Sequence, residues 1–150
     1  MKAGISKNNA FTLMELILVI FITTLLLALV YPSLSVLDNS ASSEAKRLAS
    51  IIRYLNDSSI NRKIVYEMEI NLVGKEVSYD SPDGKKTLIL KSLQKIYLSS
   101  KGEVTEGAIK MPFGYEGLIE IFQASFIQEG KSITLTYNPY SRQVKMDTAQ

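Results

Sequence analysis

The chain has 150 residues, a formal net charge of +2 and 46% hydrophobic residues, the size of one ordinary domain with little room for a second. It contains neither cysteine nor histidine. Disulfides, thioether lipid anchors, thiolate chemistry and the side chain most used as general base or zinc ligand are therefore excluded, and enzymatic readings start at a disadvantage.

The apolar residues are not evenly spread. From Leu16 to Leu37 runs a stretch of 22 residues without a formal charge, and as a helix rising about 1.5 Å per residue it reaches roughly 33 Å. That matches a hydrocarbon core of about 30 Å. Lys2 and Lys7 precede it and no acidic residue comes before Glu15, so the positive-inside rule puts the amino end in the cytoplasm and everything after Pro32 outside. A secretory signal has a shorter apolar region, although Ala41 with Ser43 keeps a cleavage site in view. A buried core helix does not fit a segment apolar all round. An ordinary anchor explains length and lysines but not the carboxylate of Glu15, since carboxylates embedded at a membrane cost several kcal/mol.

The run Ala10-Phe11-Thr12-Leu13-Met14-Glu15-Leu16-Ile17-Leu18-Val19 resembles the processing and methylation motif of type IV pilins and pseudopilins. The resemblance implies that a prepilin peptidase cuts between Ala10 and Phe11, that Phe11 is then N-methylated, and that Glu15 is the fifth mature residue. Pro32 stands where many members carry a helix-kinking proline, and residues 1–10 form the short basic leader. Ala10 departs from the glycine usual before the cut, which implies slower cleavage rather than its loss. Elementary electrostatics gives Glu15 a role of its own. The cut creates an amine four residues from its carboxylate, and opposite charges leaving water together attract strongly, whereas either alone carries a large desolvation penalty. Glu15 is thus a candidate register device for assembly.

Beyond the apolar segment, taken as residues 11–37, residues 38–150 are expected to form the soluble domain. Proline lacks a donor and crowds the preceding turn, so the first helix should kink or break near Tyr31. Ala45, Leu48, Ala49, Ile52, Leu55 and Ser59 then recur at helical spacing, which predicts an amphipathic helix over 41–60 with Glu44, Lys46, Arg47, Arg53 and Asp57 largely on its solvent side. Strand periodicity follows over Ile64 to Leu72. Ser81-Pro82-Asp83-Gly84 predicts a turn between Val77 to Tyr79 and Thr87 to Leu90. Short strands are expected at Ile96 to Ser99, Ile109 to Met111 and Leu118 to Phe122, then a final pair, Ile133 to Tyr137 and Gln143 to Met146, across Asn138 and Pro139. All strands fall within about 63–147, six to eight in number.

The expected fold is α+β: a long amino-terminal helix, its first half membrane-spanning, packed on antiparallel sheet. This layout resembles the minor pseudopilin H of type II secretion and the related minor pilin FimT. It implies a non-enzymatic filament subunit of a type II secretion system, held in the inner membrane as a single-pass protein with cytoplasmic leader and periplasmic domain. Its partners would be prepilin peptidase, other pseudopilins or pilins and the assembly platform. The alternative is a minor pilin of a type IV pilus or competence apparatus.

Chemistry is otherwise sparse. Glu67 and Glu69 share one strand face, the usual pattern of a solvated side, and Asp80 and Asp83 flank a turn without the dense acidic ligands of a calcium loop. No cofactor or metal is expected. Removing the leader leaves 17 − 2 = 15 basic against 15 acidic side chains. Lys85, Lys86, Lys91 and Lys95, or Tyr137 and Tyr140 beside Arg142, offer a nucleic acid little more than a solvated strand face and a hairpin turn, so nucleic acid is not an expected partner.

Overall fold

The computed structural model describes residues 13–38 and 41–149, with side chains at 13–26 and 41–149. The chain divides at Asp38 into two compact units. The first contributes helix α1, Leu13–Asp38, whose helical backbone continues through Pro32. The chain therefore does not break at Tyr31, and the proline is accommodated within the helix.

The second unit opens with α2, Ala41–Arg62. The predicted stripe is the buried one: Ala45, Leu48, Ala49, Ile52, Leu55 and Ser59 all lose at least 98% of their exposure. Each of the larger aliphatic side chains contributes about 1.5–3 kcal/mol by leaving water. The helix ends where Lys63 turns into the left-handed region (φ 55°) and its N–H donates to Ser59 O at 3.0 Å, an αL cap.

Nine strands follow: β1 Tyr66–Asn71, β2 Glu76–Ser81, β3 Gly84–Ile89, β4 Leu93–Leu98, β5 Gly102–Val104, β6 Ala108–Phe113, β7 Phe122–Gln128, β8 Lys131–Asn138 and β9 Gln143–Ala149. They form two antiparallel sheets, ordered β3-β2-β1-β6 and β5-β4-β7-β8-β9. Tyr66, Met68 and Ile70 of β1 point inward while Glu67, Glu69 and Asn71 face out, as period-two patterning requires. The core joins both sheets to the buried stripe of α2, with Phe113, Phe122, Phe126 and Tyr137 among its largest members. The fold is α+β, a helix packed on two antiparallel sheets.

Several expectations need correction. Among the described residues the strands number nine, because the short β5 lies in a glycine-flanked stretch without alternation. Leu118 to Ile121 is not strand; only Phe122 opens β7, which runs on to Gln128. The reason lies in the preceding loop, where Gly114 and Gly117 exchange backbone hydrogen bonds of 3.1 and 2.9 Å and divert the chain. Glu44, expected in solvent, is 5% exposed, and Tyr137, expected at the surface, is 1% exposed.

Gly117 is required by its surroundings. Its φ is +88°, and a β-carbon there would stand 1.9 Å from Asn56 Oδ1. Gly117→Ala is expected to lower stability by about 2–4 kcal/mol, the sum of left-handed strain and overpacking. Gly130→Ala, also at positive φ but facing open space, should cost only about 1 kcal/mol. Urea unfolding of the two variants measures the difference.

Candidate functional site

Two features bear on function: the apolar first helix with its carboxylate, and the polar contacts that hold the second helix to the sheets.

In α1, Glu15 occupies the first turn, where a negative charge complements the positive end of the helix dipole. Between it and Asp38 the sequence carries no other formal charge. Every side chain described from Leu13 to Leu26 is exposed, including Leu16, Ile17, Leu18, Val19, Ile20 and Phe21 at 50–63%. The two threonines do not interrupt this hydrocarbon surface. Thr23 Oγ1 donates to Val19 O and Ile20 O at 2.9 Å, and Thr24 Oγ1 to Ile20 O at 2.7 Å and Phe21 O at 2.9 Å. Their hydroxyls are satisfied within the helix, so the surface is apolar on all sides. Such a helix needs a non-aqueous environment or other apolar surfaces around it. Among the described residues, whose side chains in α1 stop at Leu26, no helix is long and apolar enough to cross a membrane. The cleavage position between Ala10 and Phe11 and the leader lie outside the described residues, as does the side chain of Pro32.

The second helix is tied to the sheets at both ends. At its start, Ala41 N–H donates to Gln128 Oε1 at 2.5 Å, satisfying one of the free donors of the first turn. One turn on, buried Glu44 accepts from Lys91 N at 3.1 Å, Ser92 N at 2.9 Å and Ser92 Oγ at 2.5 Å. Three donors explain how a carboxyl group withstands burial. Near the other end, buried Asn56 Oδ1 accepts from Leu118 N at 3.1 Å and from Tyr137 Oη at 3.0 Å. Asn56 was not singled out from the sequence and Glu44 was expected in solvent, since the partners that explain their burial lie 47 to 81 residues away.

The remaining candidates resolve into surface structure. Glu67 and Glu69 pair with Lys110 at 3.5 and 3.9 Å, and Lys85 approaches Glu69 at 4.0 Å. Asp80 accepts from Glu67 N at 2.8 Å, while Asp83 pairs with Lys86 at 3.5 Å. Lys95 pairs with Glu103 at 2.7 Å in the other sheet, so the lysines do not form one patch. Among the described residues no cluster of three or more acidic, histidine or cysteine groups is placed to hold a metal.

Residues 5–31 match the family described as the prokaryotic N-terminal methylation motif. The match spans Ala10, Phe11 and Glu15 and ends one residue before Pro32. It supports the pilin and pseudopilin superfamily and processing by a prepilin peptidase. No curated protein and no solved structure matches the chain.

Burial pushes the pKa of the Tyr137 hydroxyl above its ordinary value of 10.0; Arg142 opposes the shift and Asp57 adds to it. A tyrosine pushed upward favours its neutral form in the fold, so its contribution is fully present below pH about 10 and lost as pH rises through the higher folded value. Tyr137→Phe is expected to cost about 1 kcal/mol at neutral pH and to flatten the alkaline decline. Glu44→Ala, which strands the Lys91 and Ser92 donors, should cost about 2–3 kcal/mol. Denaturant titrations at pH 7 and above 10 read both effects.

Proposed function

We propose that this chain is the precursor of a structural, non-enzymatic filament subunit, a minor pseudopilin of a type II secretion system. The observation that carries the reading is the methylation motif over residues 5–31, continuous with a helix whose described side chains are apolar on every side. In this reading prepilin peptidase cuts between Ala10 and Phe11 on the cytoplasmic side, and Phe11 is N-methylated. Residues 11–37 hold the subunit in the inner membrane as a single pass until the assembly platform extracts it. The domain from residue 38 onward then lies in the periplasm, and Pro32 bends the first helix to suit its neighbours.

Glu15 sets the register. On extraction the apolar surface of α1 exchanges lipid for the helices of neighbouring subunits, a step nearly neutral in hydrophobic terms because both surroundings are hydrocarbon. Selectivity must then come from a polar term. A buried carboxylate without a partner carries a penalty of several kcal/mol, which falls only where the Phe11 amine meets it. Axial misplacement by one helical turn, about 5.4 Å, would separate the pair.

Glu15→Ala is expected to leave membrane insertion and leader removal intact while sharply reducing co-purification with other filament subunits. Glu15→Asp, which keeps the charge on a shorter stem, should retain part of it. Undiminished co-purification of Glu15→Ala would overturn the register role.

A further inference from the structure

Each sheet has two outer strands, and among the described residues three of these four edges are guarded. β3 opens on exposed Gly84, Lys85 and Lys86, β6 contains Pro112, and β5 is three residues long. Lysine, proline and brevity are the usual means of keeping an open edge from pairing with another strand. β9 is guarded by none of these alone. It runs for seven residues, Gln143–Ala149, without proline or glycine, and its ladder with β8 has no bulge. Its one lysine, Lys145, is followed two positions on by Asp147.

The backbone groups that β9 offers are set by the turn before β8. Glu129 and Gly130 (φ 51° and 77°) form a two-residue hairpin loop, and the pair flanking such a loop, Gln128 and Lys131, is hydrogen-bonded. Bonded and non-bonded pairs alternate along antiparallel strands. Ser132, Thr134, Thr136 and Asn138 therefore turn their backbone groups to β9, while Ile133, Leu135 and Tyr137 turn theirs to β7. The β9 partners of the latter three are Thr148, Met146 and Val144. These direct N–H and C=O away from β8, to the open edge. Two contacts agree with this phase. Ile127, opposite Ser132, donates its N–H to Ser92 O at 2.9 Å on the side away from β8, and Arg53 Nη2 donates to Val144 O at 3.5 Å.

We infer that β9 pairs antiparallel with β9 of a second copy of this chain, about a two-fold axis at Met146. Two such edges bond only where both turn their groups outward, so residues 144, 146 and 148 must meet one another. Centred on residue 145, the pairing would set Lys145 against the second copy's Lys145; centred on residue 147, it would set Asp147 against Asp147. Like charges directly opposite are destabilising. Centred on Met146, the pairing overlaps the whole strand and sets Lys145 opposite the second copy's Asp147 on both sides of the axis. These are non-hydrogen-bonded positions, where α-carbons stand about 4.5 Å apart and side chains come closest. Met146, 40% exposed, is covered by its counterpart, and Val144 meets Thr148. The Val144 carbonyl has a second lone pair for the new strand beside Arg53. Each copy uses the same surface, so the contact closes into a pair and does not extend a filament. It stands or falls independently of the filament reading.

The chain has no cysteine, so engineered cysteines report without background. In the full-length chain in cell membranes, Met146→Cys is expected to give a disulfide-linked dimer on mild oxidation and no larger species. Val144→Cys, which faces Thr148 and not its own counterpart, should give several-fold less dimer by itself. Co-expressed with Thr148→Cys, it should give dimer again. Asp147→Lys, added to Met146→Cys, should lower the dimer several-fold by opposing lysine to Lys145, and the further change Lys145→Asp should restore it. Equal dimer from Val144→Cys alone and Met146→Cys would mean unspecific collision and overturn the pairing. So would the absence of dimer from Met146→Cys, or a yield indifferent to the charge reversals.

Discussion

Two consecutive helices in this chain make opposite demands of their surroundings, and the rest of the molecule follows from that difference. Leu13–Asp38 offers hydrocarbon on every described side, whereas Ala41–Arg62 confines its apolar residues to one stripe. The second is satisfied by its own domain, since Leu48, Ile52 and Leu55 pack fully against the two sheets. The first finds no such cover among its own described residues, and the proposed function supplies it from lipid and then from other subunits. In the proposed function the carboxylate at the head of this helix leaves water together with an amine, which offsets its desolvation.

The domain carries polar constraints of a similar kind. Burying Glu44 and Asn56 gives nothing to hydrophobic stability, but each is met by several donors from distant parts of the chain. Because an unmet buried acceptor costs more than a met one contributes, these contacts act chiefly as alignment. A helix shifted along its axis by one turn would lose Ser92 and Tyr137 together. Gly117 belongs to the same arrangement, as only a residue without a side chain lets the loop backbone approach Asn56 this closely.

What the sequence disclosed follows from how local each signal is. The α2 stripe, the alternation in β1 and the Ser81-Pro82-Asp83-Gly84 turn depend on residues a few positions apart, and all three are present. The motif at Ala10 to Glu15 was legible for the same reason. The β8–β9 pair was visible as alternation, yet the burial of Tyr137 was not, because it depends on Asn56, 81 residues earlier. Glu44 was assigned to solvent by its charge, and only the Lys91 and Ser92 donors, backbone and hydroxyl, explain its burial. The β6–β7 connection was misread as strand because Leu118 and Ile119 are apolar, while the loop is set by paired glycines and a side-chain acceptor from α2.

The reading of function therefore leans on the amino-terminal helix, with the domain supplying rigidity and surfaces for contact. Its central claim is that the first helix is made competent for assembly by a cut that creates a new amine near Glu15. Mass spectrometry of the mature amino terminus tests this most directly. A chain beginning at Phe11 and carrying one added methyl group is the predicted result; a chain retaining Met1 and residues 2–10, or one beginning near Ser43, would contradict it.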